Sequence, residues 1–389
     1  MLKSLFESRF AVIVFASSVF LLYNINLERL TDADELYHIL AAKGLLETGE
    51  PSIGEDGRYW RAYPLTWLVA QSFALFEPSL TAARLPAVLF MTALVVALFA
   101  FLRREAGPLA AWLGAGLFAV SPFAIGMAQF TRFYSLQGFA FFIAAWLIYW
   151  SVDRPWSLWR AGATVSVAGP LLLLAVDLQP TTLLGIAGLG LWAVMAILLP
   201  WLFDPAVPRR SKHFALGGLL LAGFAAAGGF WASGMLEPLW QRYRTTMIFN
   251  ELQGDNFLFY HIWYMLYYPT LWTLAGVITV AALIERPRLT GFALTIFLVG
   301  FVLNSFAGAK SLRYIFYAQP FLFILWGVGL AAMLRAGRGL FGRLRDQLEP
   351  VFAQLLRRPA HGVASGFLGL VVLSVILVNP AWLRSATML

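Results

Sequence analysis

The chain has 389 residues, 60% of them hydrophobic and only 12% charged, with a mean hydropathy of +0.74. Those values exclude an ordinary soluble domain: the apolar residues gather in nearly charge-free blocks of roughly 17–22, enough to cross a hydrocarbon core of ~30 Å, and leave no room for the alternation of a membrane barrel. There is no cysteine, so disulfides and thiolate metal sites are excluded too.

Lys3 and Arg9 precede a first apolar run, Phe10 to about Leu27, which imitates a signal peptide but reads as a retained span. A first outer loop follows over residues 28–80. Leu85–Leu102 returns to the inside, where Arg103 and Arg104 stop it; Pro108 to about Ile125 goes out again. A short turn through Arg132 and Tyr134 leads into a fourth span ending near Trp150, and spans at about 161–177 and 181–203 flank the tight turn Asp177–Pro180. Arg209, Arg210 and Lys212 mark the inside before Phe214–Ser233.

A second outer loop covers 234–261 and carries Arg242, Arg244, Glu251 and Asp255. Spans at about 262–284 and 289–307 come next, then an outer turn with Lys310, Arg313 and Tyr314 and a tenth span to about Leu334. Residues 335–361 alternate three- and four-residue apolar steps against arginines, the pattern of a basic amphipathic helix on the inner surface. Residues 362–389 hold a last span and an outer tail. The expectation is an all-α polytopic membrane protein, one transmembrane domain over 1–389, with about eleven spans and amphipathic juxtamembrane helices in the first loop. In this topology the Lys and Arg residues divide 17 inside and 11 outside, and the acids 7 inside and 13 outside. The net charge of +8 is then a feature of the inner face, as positive-inside sorting requires, and not a nucleic-acid footprint.

Chemistry is sought at Thr31-Asp-Ala-Asp-Glu-Leu-Tyr-His38, three carboxylates and a histidine just beyond the first span, where charge is costly and usually functional. Thr31 reads as the N-cap of a helix from Ala33 to about Glu47 that puts Asp34 and His38 on one face. Acids in a first helical turn also satisfy the helix dipole without any function. Against that plain reading, the same loop carries Arg58, Tyr59, Trp60, Arg61 and Tyr63 before a second amphipathic run, Leu65–Phe76, and the other outer turns add further cations. Carboxylates ringed by arginines on one membrane face suit a reaction that deprotonates one partner and expels an anion from the other. Arg84 reads as a contact to headgroups or to the loop above it, and Arg242 and Arg244 as headgroup or loop contacts.

The D-x-D-E stretch after a first span, Tyr59-Trp-Arg-Ala-Tyr-Pro-Leu65, Ala83-Arg-Leu-Pro86, Thr131-Arg-Phe-Tyr-Ser135 and Lys310-Ser-Leu-Arg-Tyr314 with Gln319-Pro320 together resemble the C-type (GT-C) glycosyltransferase superfamily. The resemblance covers about residues 1–335 and is nearest to the branch of protein O-mannosyltransferases and aminoarabinose transferases of lipid A. It implies transfer of a hexose or pentose from a polyprenyl-phosphate donor to an acceptor on a glycan, lipid or protein, at the outer face of a bacterial inner (plasma) membrane. Asp34 matches the acid taken as base, with Glu35 beside it as the second catalytic candidate. Arg61, Arg132, Lys310 and Arg313 are the candidates for the donor phosphate; Asp32, His38, Arg58, Tyr63, Tyr134 and Tyr314 are candidates for substrate contacts. Relatives often place a lysine directly before the proline of the second surface helix, where this chain has Tyr63, and many carry a soluble C-terminal domain for which no segment is read here. No cofactor is expected: the acids would suit Mg²⁺ or Mn²⁺, as in the D-x-D transferases, but they face away from cytoplasmic nucleotide sugars. The alternative from another class is a transporter or flippase for a lipid or glycolipid, whose marks would be broken spans and ionisable residues inside the bilayer.

Overall fold

The computed structural model describes residues 9–29, 31–54, 57–153, 157–206, 208–234, 236–245 and 257–356. Regular structure within them is helical, apart from one isolated antiparallel bridge between Ser52 and Arg58. The last expected span and tail, together with Glu251 and Asp255, lie outside the described residues.

The first half runs α1 (Arg9–Tyr23), α2 (Ala33–Thr48), α3 (Tyr63–Phe76), α4 (Leu80–Glu105), α5 (Pro108–Ala119), α6 (Pro122–Ala128), α7 (Tyr134–Val152) and α8 (Leu158–Leu178). The second half runs α9 (Thr182–Phe203), α10 (Arg209–Ala232), α11 (Glu237–Arg244), α12 (Phe259–Tyr267), α13 (Pro269–Thr273), α14 (Ala275–Glu285), α15 (Pro287–Phe306) and, after a 3₁₀ turn Leu312–Ala318, α16 (Gln319–Leu356). The two juxtamembrane helices expected in the first loop are α2 and α3.

Among the described residues six helical segments are long and apolar enough to cross a membrane: α4, α7, α8, α9, α15 and Leu312–Gly337. The pair α5 and α6, bent by 60°, makes a seventh. Pro122 opens α6 and the Ser121 hydroxyl accepts the Ala124 amide at 3.1 Å, so the break is capped and not frayed. The expected eleven spans are not reproduced one for one. The run expected at 262–284 is divided into α12, α13 and α14, with Pro269 opening the middle piece, and α1 and α14 are apolar but short. The helix expected to end near Leu334 continues unbroken to Leu356, so span and basic segment are one element.

The first half of α16 is the most enclosed segment of the bundle and packs on α5, α14, α15 and α4. Its close approach to α5 depends on missing side chains: a Cβ added at Gly327 would lie 2.7 Å from both the Ala110 carbonyl oxygen and the Gly114 Cα. In a bilayer such small-residue contacts replace the hydrophobic drive that lipid removes. A second local device joins α3 to α4. Pro86 inside α4 has no amide to give to the Ala82 carbonyl four residues back, and the Ser72 hydroxyl donates to that oxygen instead, at 2.6 Å. The repair fastens a loop helix to the span below it.

Gly327→Val is expected to force α5 and α16 apart at a cost of about 1–3 kcal/mol or more, read as a lower unfolding temperature in detergent. Gly276→Val, at a position with nothing within 4 Å of the added Cβ, should leave that temperature close to wild type.

Candidate active site

The start of α2 decides where the acids go. Asp32, and not Thr31, is the N-cap: its carboxylate accepts the Asp34 amide at 2.9 Å, and the third helical residue, Glu35, accepts the Asp32 amide at 3.1 Å. The N-cap moves by one residue because only this register completes a reciprocal capping box. It leaves Asp32 exposed at the helix start and sends Asp34 and Glu35, neighbours in sequence, to different partners.

Glu35 is buried. Arg84 of α4 grips it at both oxygens, Nε to Oε1 at 3.0 Å and Nη2 to Oε2 at 2.7 Å, and the Thr131 amide donates to Oε1 at 2.8 Å. Arg84 also donates through Nη1 to the carbonyls of Leu27 and Arg29. Burial alone would raise the Glu35 pKa; the Arg84 contacts and the Thr131 and Asp32 amides outweigh it and hold the carboxyl below its ordinary value. A carboxylate so fully engaged has no free oxygen for a substrate. Both oxygens of Glu35, expected as a second catalytic candidate, are thus engaged by Arg84 and backbone amides. Arg84 contacts the loop above it, the second of its two expected options.

Asp34 is placed differently. Its side chain is about a third exposed, and only Oδ2 is held: Arg313 Nη1 donates at 2.7 Å and Arg132 Nη2 lies at 3.8 Å. Arg132 Nη1 also donates to the Asp34 carbonyl at 3.0 Å and to the Tyr59 hydroxyl at 3.2 Å. Oδ1 accepts no hydrogen bond from a described residue. The Phe133 ring carries two guanidiniums, Arg132 at 5.1 Å and Arg61 at 5.2 Å from its centroid, a cation–π arrangement that holds like charges near one acid.

His38 is fully buried, with Nδ1 2.9 Å from the Thr66 hydroxyl and its ring edge-on to Tyr59 and Phe133. Burial first, then the charges of Arg132 and Arg61, push its pKa down to about 3 against the opposing pull of Asp34. The imidazole is neutral at physiological pH and is held in a buried contact with Thr66.

Tyr134 is buried at the start of α7 next to Phe133, and Lys310 is buried in the turn before Arg313. Tyr314 lies under Arg242 of α11, whose guanidinium is 4.0 Å from the ring centroid. The Gln179 side-chain amide lies between Arg61 and Arg242, and its oxygen accepts from Arg242 Nη1 at 3.1 Å and Nη2 at 3.3 Å. The two arginines line a cavity of about 480 Å³ with Asp177, Ala309 and Tyr314. Tyr63, two residues beyond Arg61, borders a separate apolar groove of about 650 Å³ with Trp67, Phe90, Phe139, Leu171 and Leu174. The structure thus brings Asp34, Arg61, Arg132, Arg313, Tyr134 and Tyr314 into one neighbourhood. It does not bring Arg58 there: that side chain is exposed and paired with Glu50 at 2.6 Å. Among the described residues no three His, Asp or Glu side chains converge as metal ligands would.

Phe133, Thr66 and Gln179 take part in the site although the sequence pattern does not single them out. Their signals in the sequence are faint: an aromatic beside a candidate cation, and a polar residue in a tight turn before a proline. Sequence position makes Arg242 a peripheral contact, and only the fold shows it facing Arg61.

The helices are those of a multi-pass helical membrane protein, and its fold is the GT-C fold shared with the solved structures it resembles. The chain is similar to ArnT from Cupriavidus metallidurans bound to undecaprenyl phosphate, with a TM-score of 0.58 and 18% identity over 89% of this chain and 66% of that one. The apo ArnT structure gives the same score and identity over 88% and 65%. The archaeal oligosaccharyltransferase AglB from Archaeoglobus fulgidus, in complex with an inhibitory peptide and a dolichol-phosphate, matches with a TM-score of 0.58 and 13% identity over 98% of this chain and 56% of that one. The chain therefore spans just under two thirds of the ArnT structures and little over half of AglB. No family model and no curated protein sequence matches it.

Arg84→Leu should leave Glu35 buried without its counter-ion and cost about 3–5 kcal/mol, seen as loss of folded protein after extraction; Arg58→Leu, at an exposed pair, should not. His38 gives a pH signature. Its folded pKa lies below the unfolded value of roughly 6.5, so its penalty is absent above that pH and grows by about 1.4 kcal/mol per unit as pH falls toward 3. Thermal unfolding at pH 7.5 and 5.0 should show a drop in wild type that His38→Gln reduces; Glu35, with a lowered pKa, contributes only further toward acid.

Proposed function

We propose that the chain is a glycosyltransferase that moves a sugar from a polyprenyl-phosphate donor to an acceptor hydroxyl at the outer face of the membrane. The observation that carries this reading is the half-engaged Asp34: one oxygen fixed by Arg313 and Arg132, the other free, beside a cationic cavity and an apolar groove. The arginines keep the carboxylate charged and aimed, and Oδ1 is the atom that accepts a proton.

In the proposed step the acceptor O–H gives its proton to Asp34 Oδ1 as its oxygen bonds to the anomeric carbon. The bond from that carbon to the phosphate oxygen breaks, and its electron pair leaves with the polyprenyl phosphate. One displacement inverts the anomeric centre; Glu35 is not available as a second nucleophile because Arg84 and Thr131 occupy it. A positioned carboxylate of this kind contributes roughly 10²–10⁴-fold. The growing charge on phosphate falls near Arg61, Arg132, Lys310 and Arg313, where cations already in place stabilise it more than water does. The step is routed through no metal: Asp32 caps α2, Asp34 faces arginines and Glu35 faces Arg84.

The apolar groove suits the isoprenoid tail, since it runs along α3, α4, α7 and α8 and begins at Tyr63, beside the cationic corner at Arg61. Supporting this choice of donor, the ArnT structure holds undecaprenyl phosphate and the AglB structure a dolichol-phosphate. The acceptor is a hydroxyl of a glycan, lipid or protein, and the sugar a hexose or pentose. The enzyme would work in the plasma membrane, with Asp34 on its outer side.

Purified protein in lipid should release polyprenyl phosphate from a polyprenyl-phosphate sugar, and Asp34→Asn should lower turnover about 10²–10⁴-fold with little change in unfolding temperature. A variant that turns over like wild type would remove Asp34 from this role, and substrate uptake into proteoliposomes without chemistry would replace the enzyme with a transporter.

A further inference from the structure

Helix α2 changes character around its circumference. Leu36 and Leu40 are exposed on one edge and Asp34 stands on another. Tyr37 lies between them, three residues and about 60° from both Leu40 and Asp34. An exposed tyrosine beside lipid is ordinarily an interfacial anchor with its hydroxyl among headgroups. Tyr37 is placed otherwise: its ring is stacked on that of Tyr59, with centroids 5.3 Å apart and planes 21° from parallel.

Tyr59 is the fixed member of the pair. Its hydroxyl accepts from Arg132 Nη1 at 3.2 Å, the same nitrogen that donates to the Asp34 carbonyl at 3.0 Å. His38 meets the Tyr59 ring edge-on with centroids 5.0 Å apart, and the Tyr59 amide donates to the Pro51 carbonyl at 2.9 Å. Tyr37 is held against this backing and is still 46% exposed. Its hydroxyl makes no hydrogen bond to a described residue. A flat aromatic surface, an unused hydroxyl and the free Oδ1 of Asp34 therefore sit within one turn of helix.

We infer that Tyr37, backed by Tyr59, is a platform for a saccharide acceptor, whose pyranose ring lies on the tyrosine and carries one hydroxyl to Asp34 Oδ1. The inference rests on the glycosyltransferase reading and narrows its acceptor to one that bears a sugar ring at the receiving hydroxyl. A pyranose has an apolar face of C–H groups, made electropositive by the neighbouring oxygens, and a rim of hydroxyls. The negative face of an aromatic ring attracts the first, and the Tyr37 hydroxyl and the Asp34 carboxylate suit the second. Residues three apart on a helix have Cβ atoms about 5–6 Å apart, so a ring on Tyr37 has its rim beside the acid. Stacking on Tyr59 fixes the platform before the acceptor arrives, which lowers the cost of ordering it. A lipid chain would instead need the depth that the groove at Tyr63 provides.

The test is saturation-transfer NMR on full-length protein in lipid nanodiscs, with methyl β-D-glucopyranoside and a threonine-containing peptide as probes. Wild type should saturate the glycoside most strongly at the C–H protons of one ring face. Tyr37→Ala should weaken its binding about 3–10-fold at unchanged unfolding temperature, and Tyr37→Phe should recover most of the loss. Tyr37→Leu, which keeps the bulk without the aromatic face, should behave like the alanine variant and gives the answer should that one fail to fold. Trp60→Ala, which removes another exposed aromatic of the same loop, should bind as wild type does. Glycoside binding that is absent in wild type, or equal in Tyr37→Leu, would overturn the platform. Saturation of the peptide, lost in Tyr37→Leu while the glycoside stays silent, would overturn the saccharide and make the occupant a protein. Asp34→Asn keeps the two claims apart: it should lose turnover of a polyprenyl-phosphate sugar and still bind the glycoside. Wild type that binds the glycoside without any such turnover removes the transferase reading, whereas turnover with the same acceptor KM in wild type and Tyr37→Leu removes the platform alone.

Discussion

The buried ion pair between Glu35 and Arg84 is the constraint on which the remaining geometry rests. It is fully enclosed, and every polar atom it presents finds a partner: the capping amide of Asp32, the Thr131 amide, and the carbonyls of Leu27 and Arg29. Such pairs gain little over apolar packing in net stability, yet they are intolerant of losing either member. Their value lies in register. This one fastens the end of the first helix's loop, the start of α2, the first turn of α4 and the turn before α7 to a single point. Asp34 and Arg132 are each one residue from a group held there, so their relative position is inherited from the pair.

From that anchor the cations sort by what they face. Arg132 and Arg313 sit on an acid, and Arg61 and Arg242 on an amide and on rings. The difference is chemical. A guanidinium paired with a carboxylate sets the direction and charge of that acid, whereas Arg61 and Arg242 have no carboxylate partner among the described residues. Phe133 stands between the sets with Arg132 and Arg61 both against its ring, and neutral His38 supports that ring and Tyr59 from behind. A charged imidazole there would add a third cation against the other two, which is why burial and those arginines keep it uncharged.

Much of this architecture is legible in the amino-acid sequence. Hydropathy locates the helices, and an acidic cluster in an otherwise greasy chain locates the site, because polar groups beside lipid are too costly to be incidental. Asp34, Arg132 and Arg313 stand out as residue types at the ends of spans. Partnership is what local pattern does not carry. Asp34 and Glu35 are adjacent and chemically alike, and their roles separate only because Arg84, some fifty positions on, reaches one and not the other. Arg242 and Gln179 meet Arg61 through two distant turns, a relation no local pattern encodes. The division of the run expected at 262–284 has a related reason: with Pro269 inside it the run has enough hydropathy to cross a bilayer, but hydropathy does not register the backbone breaks that divide it.

The unbroken course of α16 also bears on how the two sides of the membrane communicate. At about 1.5 Å per residue, thirty-eight residues of helix extend roughly 57 Å, well beyond a ~30 Å hydrocarbon core. One end abuts the 3₁₀ turn that carries Arg313, and Gly327 seats the shaft against α5. The element is therefore a lever on a fixed fulcrum. A force applied along the shaft short of Pro350, the proline inside its distal part, would be passed to the turn that carries Arg313.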